Sequence, residues 1–357
     1  MTTTAVLKKI KIIKVSSFEE LSQCYYDYEK ANSQPLMNSL VWLTTWYAHY
    51  WQTSWQLHSI VIYQNDNIIA IAPFYCQNEK KWHLPTLLYP LGQGEPESAE
   101  IASEYLDVLI SPGYKDVVLK ELALCLRLMK VDQIIWRAAL SNSHISALIT
   151  CAFKYNIEQN NTRYLVETKR WSIKELSRNT RSRHKRSLNQ FQKYSAKCVW
   201  IKPENYKDYY QTLVNFHQIR WQEKGQLGAF FHPNFNAFHQ QLLLNNSDSI
   251  KMSAILVDGK AIAINYYLSD ATTLYFYQCG WDDGQYSKLS PGLALHIWSI
   301  DNCNHCYYDF MMGSNQDSYK SKFTNVKIDM VNLKINLNPL RLFAYKVLAK
   351  WKLALTK

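Results

Sequence analysis

Residues 255–281 read ILVDGKAIAINYYLSDATTLYFYQCGW, and residues 290–310 read SPGLALHIWSIDNCNHCYYDF. Two runs rich in β-branched and aromatic residues flank Asp258-Gly259, and both turn residues tolerate positive φ. The first stretch therefore reads as a hairpin followed by a third strand. Ser290 stands where a helix N-cap belongs, and Pro291 at the first helical position, where a missing N–H costs nothing. That helix runs into a strand at 307–310, then into Met311-Met312-Gly313-Ser314 and, further on, Tyr319-Lys320. A helix beginning just beyond a strand end directs its first backbone N–H groups into a crevice, which suits a phosphate.

Working outward, the chain upstream reads as a strand at 167–171, a long basic helix at 174–194, a helix at 205–225 and another at 234–245. Tyr206, Tyr210, Leu213, His217 and Trp221 form one stripe of the second of these helices. The first half has a similar order. A strand at Ile10–Val15 leads into a helix capped at Ser17, then into a helix with the aromatic stripe Trp42, Trp46, Tyr50 and Trp55. Strands at 57–63 and 68–75 flank Asn65-Asp66-Asn67, and strands at 87–91 and 105–110, a helix at 117–129 and a strand at 133–137 follow. The aromatic stripe is expected to be core. Strands with helices packed against them argue an α+β fold with a mixed sheet. A repeated order of elements without residue identity implies duplication of one fold, with a linker at 160–169.

Length and charge bound the partners. The 357 residues suffice for two domains with real cores. Lys and Arg number 40 against 29 Asp and Glu, a formal charge of +11, which favours an anionic partner. Eight cysteines without framework spacing fit a reducing cytoplasm. Cys303 and Cys306 flank His305, but no second pair with zinc-like spacing exists, so no metal is expected. No signal-peptide core or bilayer-length apolar run is read.

The basic run can be laid out at about 100° per residue. Leu176, Thr180, His184, Ser187, Phe191 and Tyr194 share one face, while Arg178, Arg181 and Lys185 cluster opposite, and Arg183 and Arg186 point elsewhere. The three clustered cations read as an anion-binding edge, against the plainer reading of a solvated charge run.

Several segments together resemble a known family. They are Phe216-His217-Gln218-Ile219-Arg220-Trp221 with Lys224-Gly225, then 257–263, Tyr275-Phe276-Tyr277-Gln278-Cys279-Gly280-Trp281-Asp282, Ser290-Pro291-Gly292, Asp309-Phe310 with Gly313, and Tyr319-Lys320. With the Arg-rich run at 178–186, Ile71-Ala72-Pro73-Phe74 and 105–110, this ordered set resembles the CelD-like (cellulose-biosynthesis-associated) acetyltransferases of the GNAT superfamily. That family is similar to the FemAB-type peptidyltransferases, which carry two tandem GNAT-like domains. The resemblance implies an N-terminal domain over 1–166, a C-terminal domain over 167–338 and a basic helix over 339–357.

It also implies a cytoplasmic enzyme that transfers an acyl group from acyl-CoA, acetyl-CoA foremost, to an amine. The acceptor would be an amino sugar or another glycan or peptide precursor of the envelope. An acyl carrier protein, or charged tRNA as in FemAB-like aminoacyltransferases, is the alternative donor, and a non-catalytic GNAT-fold binding protein is a third reading. In GNAT enzymes a Gln/Arg-x-x-Gly-x-Gly/Ala loop holds the coenzyme A pyrophosphate. Gly292 and Ala294 match its last two positions, Leu289 stands at the first, and Lys288 beside it supplies a cation. Ser290, Gly292, Ala294, Lys288, Arg178, Arg181 and Lys185 are thus the donor-binding candidates. Asp309 is the candidate base or amine-orienting group, Tyr319 the acid for the leaving group, and Lys320 the oxyanion or phosphate partner. Tyr277, Gly313, Trp221 and His217 are acceptor-side candidates, although His217 on its apolar face also has a structural reading.

In the tail, Leu340, Phe343, Ala344, Val347, Leu348 and Trp351 recur at helical spacing beside Arg341, Lys346, Lys350, Lys352 and Lys357. A helix docked on the second domain is expected, with peripheral contact to an anionic membrane as the alternative.

Overall fold

A computed structural model of the chain describes residues 10–81, 83–153, 155, 161–282, 284–313, 319–324 and 326–355, with the backbone alone at 287 and 349–355. The chain divides into two compact units, one of residues 1–95, 102–160 and 330–357, the other of 96–101 and 161–329.

In the first unit, β1 (Ile10–Val15), α1 (Phe18–Glu29) and α2 (Leu40–Tyr50) precede the short β2 (Gln56–Leu57). Strands β3 (Ser59–Gln64) and β4 (Asn67–Ala72) form the expected hairpin, with Asn65 at φ 51° in its turn. After Pro73 come β5 (Phe74–Gln77), β6 (Leu87–Pro90), β7 (Leu109–Ile110), α3 (Lys115–Leu128), β8 (Gln133–Leu140) and α4 (His144–Phe153). One sheet runs β1-β3-β4-β7, all antiparallel, and a second pairs β2 with β5, β5 with β6, and β6 with β8 in parallel. Trp42 and Trp46 are fully buried, and their indoles donate to Ser103 Oγ (2.9 Å) and Glu95 Oε2 (3.0 Å). The aromatic stripe is core.

The second unit begins with β9 (Asn161–Glu167), not with a strand at 167–171, because residues 168–170 form a 3-10 turn. Next come α5 (Arg178–Lys193), β10 (Lys197–Trp200), α6 (Tyr206–Glu223) and α7 (Pro233–Asn245). The hairpin β11 (Ile250–Val257) and β12 (Lys260–Ser269) turns at Asp258 and Gly259, with φ of 48° and 76°. Strand β13 (Thr273–Trp281), α8 (Pro291–Asn302) and β14 (Tyr307–Gly313) complete a β-α-β crossover. The sheet order is β10-β11-β12-β13-β14-β9, antiparallel except for the parallel β13–β14 pair. Tyr266 and Tyr267 are neighbours on β12 and therefore point to opposite faces. Tyr266 meets Tyr210 of α6 and His239 of α7, while Tyr267 hydrogen-bonds Ser299 of α8 at 2.8 Å.

Strand β15 (Val326–Asn336) carries the chain back into the first unit, where Met330–Asn336 pair with β8, and α9 (Pro339–Leu355) follows. The boundaries expected at 166/167 and 338/339 therefore lie elsewhere. Strand β9 pairs with β14 and falls in the second unit, and the C-terminal helix belongs to the first. Both units are α+β, mixed sheets flanked by helices. Part of the expected linker (156–160), Ser314 and the side chain of Trp351 lie outside the described residues.

Candidate active site

The site begins as a failure of strand pairing. Strands β13 and β14 pair only at Thr273–Tyr307, Leu274–Tyr308 and Tyr275–Asp309, although β13 continues to Trp281 and β14 to Gly313. Both strands carry an irregularity just where pairing stops. The register of β13 against β12 slips between Tyr266 and Tyr267, leaving Tyr277 as the extra residue. The register of β14 against β9 slips after Asp309, and Met311 sits at φ 59°. An extra residue bends a strand and sharpens its twist. Two bends at one level part the strands into a wedge.

A cavity of about 620 Å³ opens beside the end of β13, and the elements around it supply its wall. From α8 come Pro291, Gly292, Leu293 and His296; from α5, Asn179, Thr180 and Arg183; from β13, Cys279 and Trp281; from α6, Arg220; from the 319–323 segment, Tyr319, Lys322 and Phe323. Pro291 lacks a donor, and the Ala294 amide already bonds the Ser290 carbonyl at 3.1 Å. The amides of Gly292 and Leu293 are therefore the helix's unspent N-terminal donors. A Cβ placed on Gly292 would meet nothing nearer than Trp281 Cζ3 at 4.0 Å. No protein atom demands glycine here, and the missing side chain keeps the space in front of the amides open. Helix dipole, free amides and two flanking guanidinium groups form an anion cradle.

The two arginines are set by packing. Ser187 Oγ donates to the Leu289 carbonyl and locks α5 against the start of α8. One turn earlier on the same side, Arg183 Nε donates to Ser290 Oγ at 3.1 Å. Arg220 stacks over the Trp281 ring at 3.9 Å. That stack depends on Gly280, where a Cβ would fall 2.8 Å from Phe216 Cβ and 2.9 Å from the Leu213 carbonyl. Glycine lets α6 lie directly on β13.

Three titratable groups of the wall, His296, Cys279 and Tyr319, are held neutral beside these cations. Burial lowers the His296 imidazole to about 3, helped by the charge of Lys320, and its Nδ1 bonds the Tyr308 hydroxyl at 2.7 Å. Burial raises the Cys279 thiol to about 11, against the opposing charges of Arg220 and Lys320. Tyr319 is 44% exposed at the cavity, yet the protein atoms around its hydroxyl displace enough water to raise its pKa well above the usual phenol value. It stays protonated at neutral pH and can donate.

Of the sequence candidates, Ser290, Gly292 and Tyr319 line the cavity; the others do not. Ser290 does not cap α8. It sits at φ 47° with its hydroxyl accepting from Arg183. Ala294 is buried in the core beneath α8, and Lys288 is exposed outside the lining. Arg178, Arg181 and Lys185 lie away from the cavity, and Arg181 donates to the Lys174 carbonyl (2.8 Å) and to that of Leu176. The expected orientation of the run is corrected. Arg183 borders the buried face, about 20° from Leu176 on the helical projection, while the clustered three point away.

Asp309 is fully buried outside the lining. Its Oδ2 accepts from Arg163 Nε (2.8 Å) and Nη2 (2.7 Å), and its Oδ1 from the Met311 amide (2.7 Å). Burial raises its pKa although Arg163 opposes this. These contacts make Asp309 the fastener of the β14 bulge, not a base open to an amine. Lys320 Nζ donates to the Met312 carbonyl beside it. His217 is buried against Phe230 and Trp221 and lowered to about 4 by burial. Trp221 carries Lys224 at 5.6 Å, outside the cavity. Tyr277 donates to the Ile101 carbonyl at 2.6 Å, and Gly313 ends β14. These four are not brought to the cavity. Sequence reading missed Arg183, Arg220, Trp281, His296, Cys279 and Lys322 as site residues. Among the described residues no group of three or more His, Cys, Asp or Glu is placed to hold a metal.

Residues 178–321 match the model of the acetyltransferase (GNAT) domain family. The second unit thus carries a GNAT-type N-acyltransferase domain, and its cavity lies within the matched segment. The whole chain shares its fold with FemX, at TM-score 0.59 and 11% identity over 94% of this chain and 100% of that one. It shares it also with L-PGS from Bacillus licheniformis, at TM-score 0.53 and 11% identity, covering 93% and 96% of the two chains. The C-terminal domain of a putative lysylphosphatidylglycerol synthetase from Agrobacterium fabrum follows, at TM-score 0.50 and 10% identity over 93% and 96%. At such identities the likeness is one of fold, two tandem GNAT-like units of the FemAB-like kind. No curated protein matches the sequence.

Proposed function

We propose that the protein moves an acyl group, acetyl foremost, from an acyl-CoA-type thioester to the amine of an amino sugar or other envelope or polysaccharide precursor. The observation that carries this reading is the start of α8. Two free amides, Arg183 and Arg220 converge beside a wedge between strands, and a phosphate-bearing donor with a long arm fits that shape. The ordered motifs that resemble CelD-like acetyltransferases favour a saccharide acceptor.

In the proposed reaction the acceptor enters as an ammonium and first loses a proton to solvent through the cavity mouth. Its nitrogen then attacks the thioester carbonyl, a C–N bond forms, and the C–S bond breaks. The nitrogen sheds its second proton to solvent as the amide forms, while Tyr319 gives its own proton to the departing thiolate and regains one from solvent. Lys320 adds positive charge near Cys279 and His296, where the oxyanion develops. Positioning supplies the rest, because a thioester is already activated.

Incubation with a panel of acyl-CoAs, following free thiol with and without amino sugars, tests this reading. Amine-dependent thiol release is the expected result, and absence of both turnover and thioester binding overturns it. A second reading has one observation in its favour, the fold shared over the full length of FemX. On that reading the donor is charged tRNA, held by the basic surface of α5. A tRNA complex that weakens steeply from low to physiological salt, with no thiol release, would select it.

A further inference from the structure

The outward face of α9 is an unpartnered apolar surface. Leu340 is 83% exposed, Phe343 69%, Leu348 59% and Val347 38%. At about 100° per residue these four and Ala344 fall within one arc of the helix, and Leu342 and Tyr345 fall on the opposite side. Leu342 is buried and Tyr345 half-buried, so the helix rests on the first unit by that opposite side. Its start is fixed there. Arg341 bonds Asp132 Oδ2 at 3.1 Å and the Leu84 carbonyl at 2.9 Å, and Asn338 bonds Asp132 Oδ1 at 3.1 Å. The exposure of the apolar arc is therefore the consequence of a docked helix, and folding does not hide it.

We propose that this face is a membrane-contact surface that lies in the headgroup region of an anionic bilayer. Charge selects the occupant. No acidic residue follows Asp329, whereas Lys334, Arg341, Lys346, Lys350, Lys352 and Lys357 do. Exposed Lys346 borders the apolar arc on the helical projection. Lys81 and Lys130 are exposed close in sequence to the two anchor points, Leu84 and Asp132. An apolar arc with Lys346 beside it, on a segment whose sequence carries only basic charge, suits acyl chains below and anionic headgroups beside. No helix among the described residues is long and apolar enough to cross a membrane, so α9 lies on the surface.

The test is co-sedimentation of the full chain with vesicles of phosphatidylcholine alone and of phosphatidylcholine with phosphatidylglycerol. Binding to the mixed vesicles alone, weakened by salt, is expected. Phe343→Glu/Leu348→Glu should reduce it at least tenfold without changing the melting temperature, since both side chains are exposed. Should that double variant prove unstable, Lys346→Glu, expected to cost about fivefold or more, decides instead. No binding to anionic vesicles, or equal binding by the variants, overturns the proposal. So does a dimer in sedimentation that Phe343→Glu/Leu348→Glu converts to a monomer, because a second copy would then be the occupant. Vesicle binding is read without turnover and stands or falls apart from the acyl-transfer reading.

Discussion

Arg183 and the Arg178–Arg181–Lys185 cluster make a direct contrast on one helix. Losing a charge-assisted hydrogen bond to a donor phosphate costs roughly 1.5–3 kcal/mol, so Arg183→Gln should raise the donor's KM about ten- to a hundredfold with little change in kcat. The triple Gln variant of the cluster should leave KM within about twofold. Steady-state kinetics of both variants check this, and the reverse ranking contradicts it. Asp309 gives a different prediction. Asp309→Asn keeps an acceptor for the Met311 amide but removes the buried carboxylate charge that faces Arg163, 14% exposed at its side chain. Breaking such a pair costs about 3–5 kcal/mol, which thermal melting should register. Buried His217, His239 and His296 are lowered to about 4, 3 and 3 by desolvation. Above about pH 6.5 they are neutral folded or unfolded, and stability is indifferent to pH on their account. Below that the unfolded chain binds protons that the folded chain refuses. Stability should fall as the pH drops from about 6.5 to 5, by up to about 1.4 kcal/mol per unit for each histidine. A flat stability profile over that range would contradict the burial of these rings.

Elements show what was legible in the sequence and what was not. The Asp258-Gly259 hairpin, the β13–α8–β14 crossover and Pro291 at a helix start are local in origin, so turn chemistry and periodicity reveal them. The wedge is not local. It depends on the two bulges, at Tyr277 and Met311, whose backbone departures no residue type announces, since methionine has no preference for positive φ. Asp309 looked catalytic because it is a carboxylate at a strand end beside a helix terminus, and only its Arg163 partner, 146 positions away, reassigns it. Arg183 was within reach of helical arithmetic, but its value rests on Ser187 meeting Leu289, a contact between segments 102 positions apart. Gly280 is the element-scale prediction. Gly280→Ala should push α6 off β13, cost about 1–3 kcal/mol of stability and loosen the Arg220–Trp281 stack, raising the donor's KM. Unchanged melting and unchanged KM would show that helix and strand have room to spare.

At the scale of the whole molecule, two tandem units of one fold were expected from the repeated order of elements, and both are present. Their boundaries were misplaced because β15 begins in one unit and ends in the other, which no composition shift marks. Part of the net charge of +11 lies at the α8 cradle, with Arg183 and Arg220, and part on α9, with Arg341 and Lys346. On the proposed reading the cradle at α8 holds the phosphates of an acyl-CoA donor. Calorimetric titration of acetyl-CoA into the full chain tests it most directly, alongside Arg183→Gln and Gly292→Val. One site per chain is expected, weakened at least tenfold by either substitution. Absence of acetyl-CoA binding, or equal affinity in all three proteins, would contradict it.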